Sequence, residues 1–435
     1  MGMEMWLASL IFAGGVVLFI GSGLWIGAAL GVVGILGLLI HSGTAPLPII
    51  ANVGWDVLNS YVLSCFPGFI LMGDLILRTG MSTRFYKALM TWIQRLPGGL
   101  TQTNIVGCSI FAAISGSSMV TAAAIGNVAI PEMRKRGYAN ELILGSLAAG
   151  GTLGILIPPS IPMIVYGAMV DASIGKLFIG GIIPGIILAG IFMFYIGSRA
   201  IIQPALVPER ERSSWKERLV ALKDVVPIVS LLIFILGGIY LGLVTPTEAA
   251  AMGAVGALIL SFLYRGFSWK MFNESLLTAV RTTCMVAFIL FGAQIMSFAL
   301  VNGDVPRQLA AMLVSMGLSQ YTILIIVFVL YAILGCFIEP IAMVLLTLPI
   351  VYPIMIGIGF HPVWFGVFLV MVIELGLLTP PVGMNVYVIK GIAGVSLGEV
   401  FKATIPYWFA IIGVLVLITV FPDLVLWLPG LMIGK

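Results

Sequence analysis

Histidine occurs only twice, at His41 and His361, and cysteine four times, at Cys65, Cys108, Cys284 and Cys336, each alone in apolar sequence without CxxC spacing. Such scarcity argues against a zinc centre or a His-based hydrolase, and it leaves an enzymatic function without a nucleophile and base pair. The cysteines fit core packing. Charge is also scarce: 9% of residues are charged, where a soluble domain carries about 25%. A net charge of +4, scattered along the chain, excludes nucleic acid as a partner. No Lys or Arg precedes Arg78, so the N-terminus lacks the basic region of a secretory signal and is expected to remain uncleaved. Trp6 stands where myristoylation after Met1-Gly2 would need Ser or Thr.

What the chain has is apolar sequence, 61% hydrophobic residues over 435 positions with mean hydropathy +1.18. Spans of about 20 apolar residues cross a bilayer, which makes this an all-α polytopic membrane protein. Candidate spans lie near 6–40, 55–77, 99–131, 140–170, 177–202, 225–264, 275–302, 319–358, 362–392 and 405–429. Several exceed one crossing. The first contains Gly21-Ser22-Gly23, where it can turn, and 99–131 and 319–358 read as re-entrant hairpins. Residues 81–96, with Arg84, Lys87 and Arg95 among apolar side chains, read as an amphipathic helix at the membrane surface.

An internal duplication organises the chain. Leu153-Gly154-Ile155-Leu156-Ile157-Pro158-Pro159 is echoed 222 positions later by Leu375-Gly376-Leu377-Leu378-Thr379-Pro380-Pro381. The same offset pairs Pro131 with Pro353, Gly137 with Gly359 and Pro184 with Pro406. The polar stretch 203–224 is the natural linker, which divides the chain into a first repeat with N-terminal scaffold helices over 1–202 and a second repeat over 225–435. Between 86 and 167 stand Lys87, Arg95, Arg134, Lys135 and Arg136, whereas the equivalent window 308–389 has no basic residue. Positive loops stay in the cytoplasm, so equivalent loops face opposite sides and the repeats are inverted.

Proline breaks in lipid-buried helices free backbone carbonyls that only protein or a watery cavity can accommodate. Unwound backbone at Gly154, Ile157 and Ser160, and at Gly376, Thr379 and Val382, would aim oxygens at a shared centre suited to desolvated Na⁺. Half-helix N-termini after the breaks would attract an anion without a buried Lys or Arg, and Asn385 is placed to orient it. A hairpin tip supplies Ser115, Ser117, Ser118 and Thr121 around Gly116, although close helix packing accounts for small residues equally well. In the repeat frame Glu339 replaces Ser117. Intramembrane acids are costly; Glu339 reads as a site residue, and Glu374 as structural support. Substrate-binding candidates are thus Ser117, Ser118, Thr152, Glu339 and Asn385.

Residues 111–118 (FAAISGSS), 130–138 (IPEMRKRGY) and 145–162 (GSLAAGGTLGILIPPSIP) resemble the large membrane subunit of tripartite ATP-independent periplasmic (TRAP) transporters, and 335–349 and 374–385 resemble its second-half motifs. The likeness spans essentially the whole chain. It implies an elevator-type fold, similar to the ion transporter superfamily, in the bacterial inner membrane. It implies Na⁺ as the coupling ion, at Ser115, Gly154, Ile157 and Ser160 in the first half and at Gly335, Gly376, Thr379 and Val382 in the second. It also implies an anionic substrate delivered by a periplasmic substrate-binding protein, and a small four-helix membrane subunit, expected as a separate chain because no such segment flanks the matching region. The alternative is a self-sufficient homodimeric Na⁺/dicarboxylate carrier.

Overall fold

The computed structural model describes residues 14–16, 18–42, 48–208 and 213–432. The readings at Met1, Gly2 and Trp6, and the linker charges Glu209, Arg210, Glu211 and Arg212, lie outside those residues. Every described element is helical, and seven helices are long and apolar enough to cross a membrane.

Two layers make up the fold. The outer one packs Ile26–Ser42 on Trp269–Asn302 and Cys65–Arg78 on Pro246–Leu263, with Trp215–Tyr240 beside them. Small residues set these crossings: a Cβ on Gly292 would lie 2.0 Å from the Gly27 carbonyl oxygen, so neither helix tolerates a side chain there. Capping boxes start two of the helices. Ser214 Oγ accepts from the Glu217 amide at 3.2 Å while the Glu217 carboxylate accepts from the Ser214 amide at 2.8 Å, and Thr245 with Glu248 repeats the arrangement. That second box, preceded by Gly242 at φ 69°, cuts the expected span 225–264 into Trp215–Tyr240 and Pro246–Leu263; the turn Leu-Gly-Leu-Val is apolar, and the signal for the break is the Thr245-Pro246-Thr247-Glu248 helix start that follows it.

The inner layer holds the hairpins and the broken helices. Leu100–Ser115 and Ser118–Lys135 form the first hairpin, and Gln320–Gly335 with Pro340–Gly357 the second, as expected from sequence. Asn140–Leu156 breaks and resumes as Ile161–Val170, and Pro362–Gly376 resumes as Met384–Ala393. Both first segments sit at the centre: every residue from Leu142 to Leu156 and from Val363 to Gly376 is buried. Buried polar side chains stitch the first hairpin to its surroundings, Tyr86 donating to Asn104 at 2.5 Å and Asn104 to Ser146 at 2.8 Å.

Contacts between halves are reciprocal. Ile161–Val170 of the first half packs on Pro340–Gly357 of the second, and Met384–Ala393 of the second packs on Ser118–Lys135 of the first. This exchange is the signature of a two-fold relation. Its direction follows from two contacts at opposite ends. Tyr166, late in the first broken helix, donates to the Pro362 carbonyl at the start of the second, at 2.7 Å. Glu141, at the start of the first, shares a pocket with Lys402, just beyond the end of the second. The two broken helices therefore run antiparallel, and the repeats are inverted. Arg134, Lys135, Arg136, Arg199, Lys390 and Lys402 gather at the Glu141 end, whereas Lys176 stands at the other; the first is the cytoplasmic end.

Met81–Ile93 is helical with Arg84 and Lys87 exposed, but its apolar face, including Phe85, Tyr86 and Leu89, is buried against Trp215–Tyr240 and the first hairpin. Its amphipathic pattern therefore serves protein packing rather than a lipid surface.

Two predictions follow from this packing. Gly292→Leu would force its side chain into the Gly27 backbone, with an overpacking cost of about 1–3 kcal/mol; thermal unfolding of the purified protein in detergent is expected to show a lower midpoint, and an unchanged midpoint would contradict the crossing. At the outer end, His361 Nδ1 accepts from the Val363 amide at 3.2 Å. Burial, and then nearby Lys176, hold its pKa below the ordinary value, about 6.5. The unfolded chain thus binds the proton first, and stability falls as pH drops through and below that ordinary value. His361→Ser keeps a cap at every pH, so its unfolding midpoint should change less between pH 7.5 and 5 than that of the unaltered protein.

Candidate functional site

Each hairpin tip closes on the break of its own half. In the first half a Cβ on Gly154 would lie 2.7 Å from the Ser117 carbonyl oxygen, and the Ile161 amide, where the helix resumes, donates to the Gly116 carbonyl at 3.3 Å. Gly116 adopts φ 59°, a left-handed turn that reverses the chain without a Cβ penalty. Ser115 Oγ lies 2.7 Å from Thr121 Oγ1 and 3.1 Å from the Ser117 carbonyl. Ser160 caps the resumed helix, and its hydroxyl donates to the Ile155 carbonyl at 2.5 Å. Ser115, Gly154 and Ser160 are thus brought to one tip-and-break junction, with Ile157 ending the segment before the break.

The second half repeats the arrangement. A Cβ on Gly376 would lie 2.6 Å from Gly335 Cα, and the Gly383 amide donates to the Cys336 carbonyl at 3.3 Å. Thr379 Oγ1 donates to the Leu375 carbonyl at 2.7 Å. Gly335, Gly376 and Thr379 therefore meet in one junction, with Val382 next to the Gly383 amide.

Both tips open on a cavity of about 330 Å³ between the layers. Ser117 and Ser118 line it from the first tip and Glu339 from the second. Their chemistry differs. Ser118–Lys135 begins without a side-chain cap, and Ser118 Oγ has no partner among the described residues, so amides and a hydroxyl at a positive helix end remain available. At the equivalent position the Glu339 carboxylate accepts from the amides of Ile341 at 3.0 Å and Ala342 at 3.1 Å. Glu339 is committed to capping its own helix while facing the cavity.

Two of the other residues singled out by sequence lie away from the cavity. Thr152 is buried and donates to the Ala149 carbonyl at 2.8 Å. Asn385 is buried and donates to the Ala148 carbonyl at 3.3 Å, tying the halves together. Glu374 is fully buried with both carboxylate oxygens unpartnered among the described residues. Sequence reasoning missed the outer layer's share of the wall, which includes Asp74, Thr278 and Thr282. Asp74 accepts from Arg78 at 2.5 Å, and Arg78 also meets Glu274 at 2.7 Å. An acid and a base four residues apart in the apolar run 65–78 were the available signal.

Residues 13–424 match the family described as the tripartite ATP-independent periplasmic transporter, DctM component. The C4-dicarboxylate TRAP transporter large permease protein DctM of Vibrio cholerae is 36% identical over 95% of this chain and 95% of its own. The isethionate TRAP transporter permease protein DctMQ of Oleidesulfovibrio alaskensis is 32% identical over 91% of this chain and 62% of its own. Among solved structures, the YdaH transporter of Alcanivorax borkumensis superposes with TM-score 0.64 at 14% identity, covering 96% of this chain and 98% of that one, which shows a shared fold. With a family match that runs through both hairpins and both breaks, the chain belongs to the DctM family and is an inner-membrane large permease component of a TRAP transporter.

Proposed function

We propose that this permease imports a small carboxylate or related anion in symport with Na⁺, taking it from an extracytoplasmic binding protein and working with a small four-helix membrane subunit on another chain. In this reading the two tip-and-break junctions are the Na⁺ sites, through Ser115, Gly154, Ile157 and Ser160 and through Gly335, Gly376, Thr379 and Val382. The observation that carries it is the duplicated junction itself. Hydroxyls and backbone carbonyls gather where a bilayer supplies no other oxygens, the donor set that suits a hard monovalent cation. The uncapped start of Ser118–Lys135 supports an anion at Ser117 and Ser118, and the relatives named for C4-dicarboxylate and isethionate support a small acid. Sodium bound at the tips would offset the Glu339 charge beside the substrate.

The inner layer carries both junctions and part of the cavity, and the outer layer the opposite wall. Movement of the inner layer as a unit past the outer would carry substrate and ions across together, an elevator. Asn385 is assigned as a tie between the halves of that unit, and Thr152 as part of its packing, rather than as substrate contacts.

Reconstituted with its two partners, the protein should accumulate substrate only under an inward Na⁺ gradient; equal uptake after the gradient is collapsed would defeat the coupling. Gly376→Val would collide with Gly335 and, at about 1–3 kcal/mol, should weaken Na⁺ stimulation roughly tenfold. Gly413→Val faces open space and serves as the folding control, with Na⁺ response and unfolding midpoint both retained. Unaltered Na⁺ response in Gly376→Val would remove the second junction from the mechanism.

A further inference from the structure

A second polar pocket, of about 190 Å³, lies far from the junctions at the cytoplasmic end. Glu141, Tyr195, Arg199, Lys402 and Tyr407 line it. Glu141 stands in the first turn of Asn140–Leu156, Arg199 in the last turn of Ile174–Ile202, Lys402 in the second turn of Leu397–Val420 and Tyr407 near that helix's middle. Three helices therefore converge on it. Their approach depends on Gly145, where a Cβ would lie 2.5 Å from the Ala403 carbonyl oxygen and 2.9 Å from the Tyr407 ring. The ring is held in turn by Phe192 and Tyr195, at centroid distances of 5.1 and 5.3 Å.

Donors are left over in this pocket. Arg199 reaches Glu141 through one terminal nitrogen at 2.6 Å, while its Nε is buried without a partner among the described residues. Tyr407 is 2% exposed, and its hydroxyl has no partner among the described residues. An unmade hydrogen bond in a buried site costs about 1–3 kcal/mol, so two unsatisfied donors beside a second cation, Lys402, describe a site that lacks its acceptor. One carboxylate against two cations leaves the lining net positive.

The inverted repeat supplies an internal comparison. At the 222-residue offset Glu141, Arg199, Lys402 and Tyr407 correspond to Val363, Phe421, Gly180 and Gly185. The same fold is built at the outer end without any of these polar groups, so the cluster is not a requirement of the packing. It is an addition at one end. It opens at the membrane interface, since Lys402 lies five residues into a helix that begins at Leu397, about 8 Å at 1.5 Å per residue, and it runs inward to Tyr407, ten residues in, about 15 Å. Basic pockets between helices at that level take lipid phosphates.

We infer that Arg199, Lys402 and Tyr407 form a binding site for a phosphate group at the cytoplasmic end, where Asn140–Leu156, Ile174–Ile202 and Leu397–Val420 converge, supplied either by an anionic phospholipid headgroup or by free phosphate. Arg199 Nε, Lys402 Nζ and Tyr407 Oη are the donors; Glu141 holds the Arg199 guanidinium and takes no part in binding.

Thermal unfolding of the purified full-length protein in detergent tests this, with dioleoyl-phosphatidylglycerol titrated against dioleoyl-phosphatidylcholine, and inorganic phosphate titrated against chloride at constant ionic strength. Phosphatidylglycerol, relative to phosphatidylcholine whose phosphate is neutralised by its own choline, or inorganic phosphate should raise the unfolding midpoint, with a half-saturating concentration increased roughly tenfold in Tyr407→Phe and in Lys402→Gln. Lys390→Gln, a change of the same charge outside the pocket, should keep the unaltered value. Response to phosphatidylglycerol alone assigns the headgroup; response to both probes assigns free phosphate as sufficient. No stabilisation by either probe, equal half-saturation in the unaltered protein and both pocket variants, or an equal loss in Lys390→Gln would overturn the site.

Discussion

Backbone amides and carbonyls cannot stay unpaired in hydrocarbon, and the whole inner layer is arranged around that constraint. A helix that stops at a proline pair exposes carbonyls before the break and amides after it. Here each break is answered by the hairpin of its own half: the resuming amides of Ile161 and Gly383 bond to the tip carbonyls of Gly116 and Cys336. Neither break would be tolerable without its hairpin, and neither hairpin could end at mid-membrane without its break. Burial of both central segments along nearly their full lengths follows, because irregular backbone must be wrapped by protein on every side.

Much of this was legible in the sequence because it rests on residues with few alternatives. Proline pairs, a glycine at a tip and an offset that keeps frame through Pro131, Pro184, Pro353 and Pro406 name the breaks, the reversals and the repeat. The lack of basic residues in the second window named the inversion, which the Tyr166–Pro362 and Glu141–Lys402 proximities bear out. Less legible was anything that depends on which apolar surface meets which. The buried face of Met81–Ile93 has the same pattern whether it meets lipid or protein, whereas the turn inside 225–264 was marked by the Thr245-Pro246-Thr247-Glu248 helix start and passed over within an apolar run. Neighbours of Thr152 and Asn385 depend on how two distant segments cross, and Asp74 reaches the cavity only because the layers pack as they do.

Duplication also makes the departures from symmetry informative. Ser117 and Glu339 occupy equivalent tips, yet one leaves its helix start open and the other fills it with a carboxylate. The cavity therefore has a receptive side and an occupied side, although the backbone on both is alike. At the cytoplasmic end, Arg199 and Tyr407 stand where the other half has Phe421 and Gly185. A common scaffold has been given different chemistry at two levels, by side chains alone.

Glycine contacts that set the helix crossings divide the chain into positions where stabilisation by replacement is available and positions where it is closed. Exchanging a helical glycine for alanine ordinarily gains about 0.4–1 kcal/mol by restricting the unfolded chain. At Gly154, Gly292 and Gly376 that gain is out of reach, because the added carbon would meet backbone. Gly190, Gly237 and Gly413 lie inside helices with open space around the missing carbon. A hardier form of this permease would be sought at those positions, leaving the junctions as they are.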